Sequence, residues 1–99
     1  MFYIVVFSSW DDMRLWVEVT GDMAFCLQNA QGGKLVYYED VPTADRALER
    51  KAQLVAGGDS RMRQLVQRAN PFWKDISAIW NRKDWRTLVK KSGYIPGEG

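Results

Sequence analysis

The sequence predicts an α/β (α+β) fold: a small three-stranded, mainly antiparallel sheet flanked by helices, in the order ββαβαα plus a C-terminal helix. Three observations carry this. Within residues 1–40 three short stretches are β-branched and aromatic or alternate with period two, as strands do. After Pro42 the apolar period lengthens to that of a helix. The length, 99 residues with 46% hydrophobic and 26% charged, suits one domain with a modest core. Residues 1–91 are assigned to that domain and 92–99 to a frayed tail.

Phe2 to Ser8 is rich in Tyr, Ile, Val and Phe and reads as the first strand. Arg14 to Thr20 alternates Leu15, Val17 and Val19 with Trp16, Glu18 and Thr20, which predicts a second. Ser9 to Met13 has hairpin length, and Asp11-Asp12 supplies turn chemistry, so the two strands are antiparallel neighbours. Gly21-Asp22 opens a helix running from Met23 to about Asn29, and Gln31-Gly32-Gly33 ends it. Lys34 to Glu39 is the third strand. Thr43 then caps a helix whose apolar stripe is Ala44, Leu48, Ala52 and Val55, with Gly57-Gly58 as its stop. Asp59 or Ser60 caps the next, with Met62, Leu65, Val66 and Ala69 inward and Arg61, Arg63, Gln64, Gln67 and Arg68 outward. Asn70-Pro71 reads as an N-cap and a first-turn proline, opening a helix with Phe72, Ile76, Ile79 and Trp80 on one face. A last helical segment covers 84–91.

The residue inventory excludes whole classes of chemistry. With no histidine, serine–histidine and cysteine–histidine triads, imidazole bases and histidine metal ligands are all impossible. The lone Cys26 cannot form an internal disulfide, and between Phe25 and Leu27 it reads as a small core residue. No apolar run reaches the roughly 20 residues of a membrane span, and Met1 to Phe7 lacks the basic flank of a signal peptide. A soluble cytoplasmic protein without membrane contact is expected. The net charge of +2 hides a polarised chain: residues 1–45 carry −5 and residues 46–99 carry +7.

The strand Lys34-Leu35-Val36-Tyr37-Tyr38-Glu39, the helix segment Arg50-Lys51-Ala52-Gln53-Leu54 and the later Asn70-Pro71-Phe72-Trp73-Lys74-Asp75 carry a resemblance. In that order the chain resembles the GIY-YIG nuclease superfamily, in particular its small stand-alone bacterial members, which read LVYYE, REKQL and NPEWRDL. The likeness covers residues 1–80, most strongly from 34 onward, and the loop before Lys34 is shorter than in the relatives. The resemblance implies strand tyrosines, a helix arginine and histidine, and a glutamate holding one divalent metal, all converging on a phosphodiester to stabilise the developing charge. Carried onto this chain, the first motif tyrosine falls on Val5 and the second motif on Trp16-Val17-Glu18. The arginine falls on Cys26, the histidine on Ala30 and the metal glutamate on Lys51. Asn70 alone is kept, and a cap role accounts for it. Glu18 stands where the family has a glycine and would repel phosphate; a salt bridge to Lys51 is its candidate structural use. Tyr3 shares a sheet face with Val5 and is a rescue candidate together with Glu18, whereas Glu49 faces away.

The expectation is a binding or interaction module without phosphodiester cleavage and without a cofactor. Its partner is a protein, a second copy, or nucleic acid held weakly and without sequence preference. The nucleic-acid candidates are Arg61, Arg68, Lys74, Arg82, Lys83, Arg86, Lys90 and Lys91. Trp10 and Trp85 are the candidate aromatic anchors for a protein partner. The alternative is a magnesium- or manganese-dependent endonuclease with relocated residues, using Tyr3, Glu18 and Asn70 with Lys51 as the cation.

Overall fold

The structure is a computed structural model that describes residues 1–29 and 33–77. They form a small α+β unit: β1 (Phe2–Ser9), β2 (Leu15–Thr20), α1 (Met23–Asn29), β3 (Gly33–Val41) and α2 (Ala44–Ala69). The sheet order is β2-β1-β3, with both pairs antiparallel. β1 lies at the centre, paired on both edges, and buries Ile4, Val5, Val6 and Phe7 in succession; β3 buries Leu35 to Glu39 likewise, although it is an edge strand. Among the described residues no helix is long and apolar enough to cross a membrane.

Register sorts the side chains. Val5 stands opposite Glu18 on one side and Tyr38 on the other, so those three point to one face. Val6, Val17 and Tyr37 point to the opposite face, and Glu39 joins them by the strand's period of two. A register shift between Val6 and Phe7 marks a bulge opposite Leu35–Tyr37.

The hairpin closes on its own polar residues. Ser9 Oγ donates to Asp11 Oδ1, which also accepts from the Met13 amide, and these bonds hold the Asp11 carboxyl below its ordinary pKa. Asp12, at φ 61°, receives the ammonium of the buried Lys34 at 2.7 Å. Lys34 Nζ also donates to the Trp73 carbonyl, tying hairpin, β3 and the 70–77 segment together.

Asp22 Oδ1 accepts from the Phe25 amide and so caps α1, and Thr43 Oγ1 accepts from the Arg46 amide and caps α2, both as read from sequence. The helices expected from Thr43 and from Asp59 form the two arms of α2, which meet at a sharp break at Gly58 (φ 86°, ψ 167°), where the Gly57-Gly58 stop was expected. The first arm of α2 turns a different face inward from the one its sequence suggested. Leu48 and Val55 are 57% and 59% exposed, while Ala47 and Leu54 are buried. The reason is Arg50: its bond to Glu39 on β3 turns the 47–50–54 side toward the sheet. In the second arm Met62, Val66 and Ala69 are buried as expected, but Arg63 turns inward to donate to the carbonyls of Asp12 and Met13.

The helix expected from Pro71 does not form: residues 71–76 are turn and irregular backbone, with Trp73 at φ 52°. Asn70 is instead the C-cap of α2, its amide donating to the Val66 carbonyl. Its Nδ2 donates to the carbonyls of Val36 and Lys74, and its Oδ1 accepts from the Lys74 amide. These bonds hold the chain open and lay it along β3, where Ile76 N donates to the Leu35 carbonyl and Leu35 N to Asp75 Oδ1. That contact covers an edge that would otherwise be left unpaired. Phe72 is 79% exposed and Ile76 is buried, so they share no helical face. The expected helix over 84–91 and the tail lie outside the described residues.

Candidate functional site

The positions singled out by the resemblance divide between the two faces of the sheet. Val5, Trp16 and Glu18 share one face with Tyr3, as their register requires. Cys26 of α1 joins them, and a cleft of about 770 Å³ lies there, lined by Phe7, Trp16, Glu18, Phe25, Cys26 and Asn29. Trp16 stacks on Phe7 with ring centroids 5.8 Å apart. Its far edge reaches β3, where a Cβ on Gly33 would stand only 2.5 Å from Trp16 Cη2. Glycine at 33 is therefore what lets the indole lie across the sheet.

The chemistry of this cleft is subdued. Burial first, and the Glu18 carboxylate second, push the Cys26 thiol up in pKa, so it stays protonated where a nucleophile needs the thiolate. The side chain is half-buried against the core, as a small apolar residue would be. Among the described residues no three Cys, Asp or Glu groups gather where they could share a metal ion. Ala30 lies outside the described residues.

Lys51 belongs to α2, on the Glu39 face, so the sheet separates it from Glu18. The candidate salt bridge between them is not formed; the cation that meets a strand carboxylate is Arg50, and its partner is Glu39. Glu49 is exposed, as read from sequence. Asn70 lies at the outer edge of β3, its amide group engaged by Val36 and Lys74.

Two arrangements escaped the sequence reading. In one, Glu39 accepts from both Arg50 and the Tyr37 hydroxyl in a nearly buried cluster. A carboxylate inside the apolar run of β3, eleven residues before an arginine, was its only sequence signal. In the other, the break at Gly58 brings the two arms of α2 around a cleft of about 420 Å³ lined by Arg50, Gln53, Gly57, Arg61, Gln64 and Arg68. The Gly57-Gly58 pair pointed to a break there, but its direction is a tertiary property.

Of the expected nucleic-acid contacts, Arg61 and Arg68 thus share one cleft. Lys74 stands apart, exposed, with its ammonium 5.8 Å over the Phe72 ring. Trp10 is 65% exposed at the hairpin tip. Arg82, Lys83, Trp85, Arg86, Lys90 and Lys91 lie outside the described residues. Comparison with protein-family models, curated proteins and solved structures finds no match.

Proposed function

We propose that the chain is a catalytically degenerate GIY-YIG-like domain that works as a binding module and does not cleave phosphodiesters. The observation that supports this most is the Trp16 indole lying across the sheet from Phe7 to Gly33. At the position where the family would present a phenol to substrate, an apolar slab closes the surface, and Glu18 beside it repels phosphate. The relocated-nuclease alternative would need Tyr3, Glu18, Asn70 and Lys51 at one point. Glu18 and Lys51 are on opposite faces, and the amide of Asn70 is committed to backbone groups.

Supercoiled plasmid incubated with magnesium or manganese tests the reading. We expect no nicking above a buffer control by the wild type or by a Lys51→Glu variant, because the motif positions Val5, Trp16 and Glu18 lie on the face of the sheet opposite to a carboxylate at 51. Metal-dependent nicking by the wild type would defeat the proposal.

A further inference from the structure

We propose that the elbow of α2 is a phosphate-binding site in which Arg61 and Arg68 hold the backbone of a flexible nucleic-acid strand. This rests on the reading of the chain as a binding module and names its ligand. It also moves the ligand away from the cleft around Trp16, to the helix on the other side of the sheet.

The elbow is built by its glycines. Gly58 adopts φ 86°, which bends α2, and nothing lies within 4 Å of where its Cβ would be. Gly57 leaves room for the Arg61 stem, since a Cβ there would meet Arg61 Cδ at 3.3 Å. Arg61, Gln64 and Arg68 then recur at i, i+3 and i+7, one face of the second arm, over roughly 10 Å of helix. Across the cleft Gln53 accepts from Arg50 Nη1 through its carbonyl, which leaves its amide hydrogens for a ligand.

The charges in the elbow are unevenly committed. Arg50 is neutralised by Glu39, and Arg63, outside the cleft lining, by Asp59. Among the described residues neither Arg61 nor Arg68 has an ion-pair or hydrogen-bond partner, and no carboxylate lines the cleft. Two exposed guanidinium groups flanked by carboxamides suit a chain of phosphates, because the planar fork donates to two oxygens at once. Among the described residues no aromatic side chain lines the elbow, and none there offers the anchor pocket of a protein interface or a stacking platform for bases. Contacts confined to the backbone carry no sequence information, and a flexible single strand follows a concave surface at less bending cost than a stiff duplex.

The test is fluorescence anisotropy with a labelled oligothymidylate at low salt, on the full chain. We expect the wild type to bind with steep salt dependence and the Arg61→Glu, Arg68→Glu double variant to bind about tenfold more weakly or worse. Its log–log salt slope should be shallower by about 1.4, the loss of two single-strand phosphate contacts. Arg14→Glu, on the hairpin, should leave affinity within about threefold, which separates site from net charge. If the charge-reversed pair fails to fold by circular dichroism, Arg61→Gln, Arg68→Gln replaces it, with the same expected direction. RNA of the same length should bind comparably and duplex DNA more weakly. Equal binding by the double variant, displacement of the probe by polyglutamate as effective as by unlabelled oligonucleotide, or no binding by the wild type at low salt would each overturn the elbow assignment. Cleavage of the probe with magnesium or manganese would overturn the non-hydrolytic reading instead, so the two failures are distinct.

Discussion

Arg50 grips Glu39 at two points, Nε to Oε1 and Nη2 to Oε2, each 2.9 Å, across the seam between α2 and β3. The Tyr37 hydroxyl donates to the same Oε2 at 2.7 Å. A carboxylate this deep in an apolar strand persists because helix and strand both supply donors.

Arg50→Ala should therefore destabilise the fold by about 2–3 kcal/mol. A fully buried pair broken on one side costs roughly 3–5. The Arg50 side chain keeps 26% of its exposure, and water screens part of the loss. Urea denaturation would read this as a lower midpoint at unchanged slope. A change below about 0.5 kcal/mol would reduce the pair to a surface contact.

Tyr37 links the same cluster to pH. Burial first, then its hydrogen bond to Glu39, raise the pKa of the phenol well above the ordinary tyrosine value. The sign follows: between the unfolded and folded pKa values the unfolded chain has lost its proton and the native chain has kept it. Stability is thus fully present below about pH 10 and falls as pH rises above it. Tyr37→Phe should lose about 1–3 kcal/mol near neutrality, the worth of a hydrogen bond to a charged group, and should flatten that alkaline decline. Denaturation of both proteins at neutral and alkaline pH would show whether the gap between them narrows as predicted.

Asn70 is a structural residue, and its variants should behave so. Asn70→Ala leaves the Val36 carbonyl and the backbone of Lys74 without their partners beside a covered sheet edge. We expect a loss of about 3 kcal/mol from the combined unsatisfied groups. Asn70→Asp should be nearly as damaging, because it keeps an acceptor for Lys74 N but removes both Nδ2 bonds and sets a carboxylate against two carbonyls. A variant as stable as wild type by thermal denaturation would contradict this.

What was legible in the sequence is what local chemistry decides. Asp22 and Thr43 announced their caps, the β-branched runs their strands, and Gly58 the break in α2, each through its own backbone preference. The inward face of the first arm of α2 was not legible, since 44–48–52–55 and 47–54 both satisfy a helical period with apolar residues. Only Glu39, distant in sequence and silent in the period, selects between them. Asn70 misled because asparagine serves at either end of a helix and proline follows a helix as readily as it opens one. Glu18 and Lys51 looked like partners because neither sequence position records which face of the sheet a neighbouring helix will occupy. Arg61, Arg68 and the break at Gly57-Gly58 were legible, but the direction of the bend that sets both arginines in one cleft was not, for the same reason.

Cys26 gives a chemical test of the face assignment. Because burial and Glu18 both raise its pKa, its reaction with a disulfide reagent at pH 8 should be slower than that of a free thiol. Glu18→Gln should speed it, since one of the two causes is removed. A rate unaffected by Glu18→Gln would separate the two side chains and weaken the geometry of the Trp16 cleft.

The bend of α2 rests on one backbone conformation. Gly58, at φ 86° and ψ 167°, lies in a region that only glycine adopts freely. Because nothing stands within 4 Å of a Cβ built there, the cost of Gly58→Ala is conformational rather than steric. It should amount to about 1–3 kcal/mol. Relaxing that strain by running the helix straight through 58 would draw Met62, Val66 and Ala69 away from the core, so the variant has no inexpensive escape. Gly57→Ala is the comparison: the added methyl meets only the flexible Arg61 stem, and replacing a helical glycine returns about 0.5–1 kcal/mol, so the change should be near neutral or mildly stabilising. D-alanine placed at 58 by semisynthesis accepts a positive φ and should melt close to wild type. Thermal denaturation of the three chains would decide: equal losses from L- and D-alanine would mean that something other than backbone strain sets the elbow.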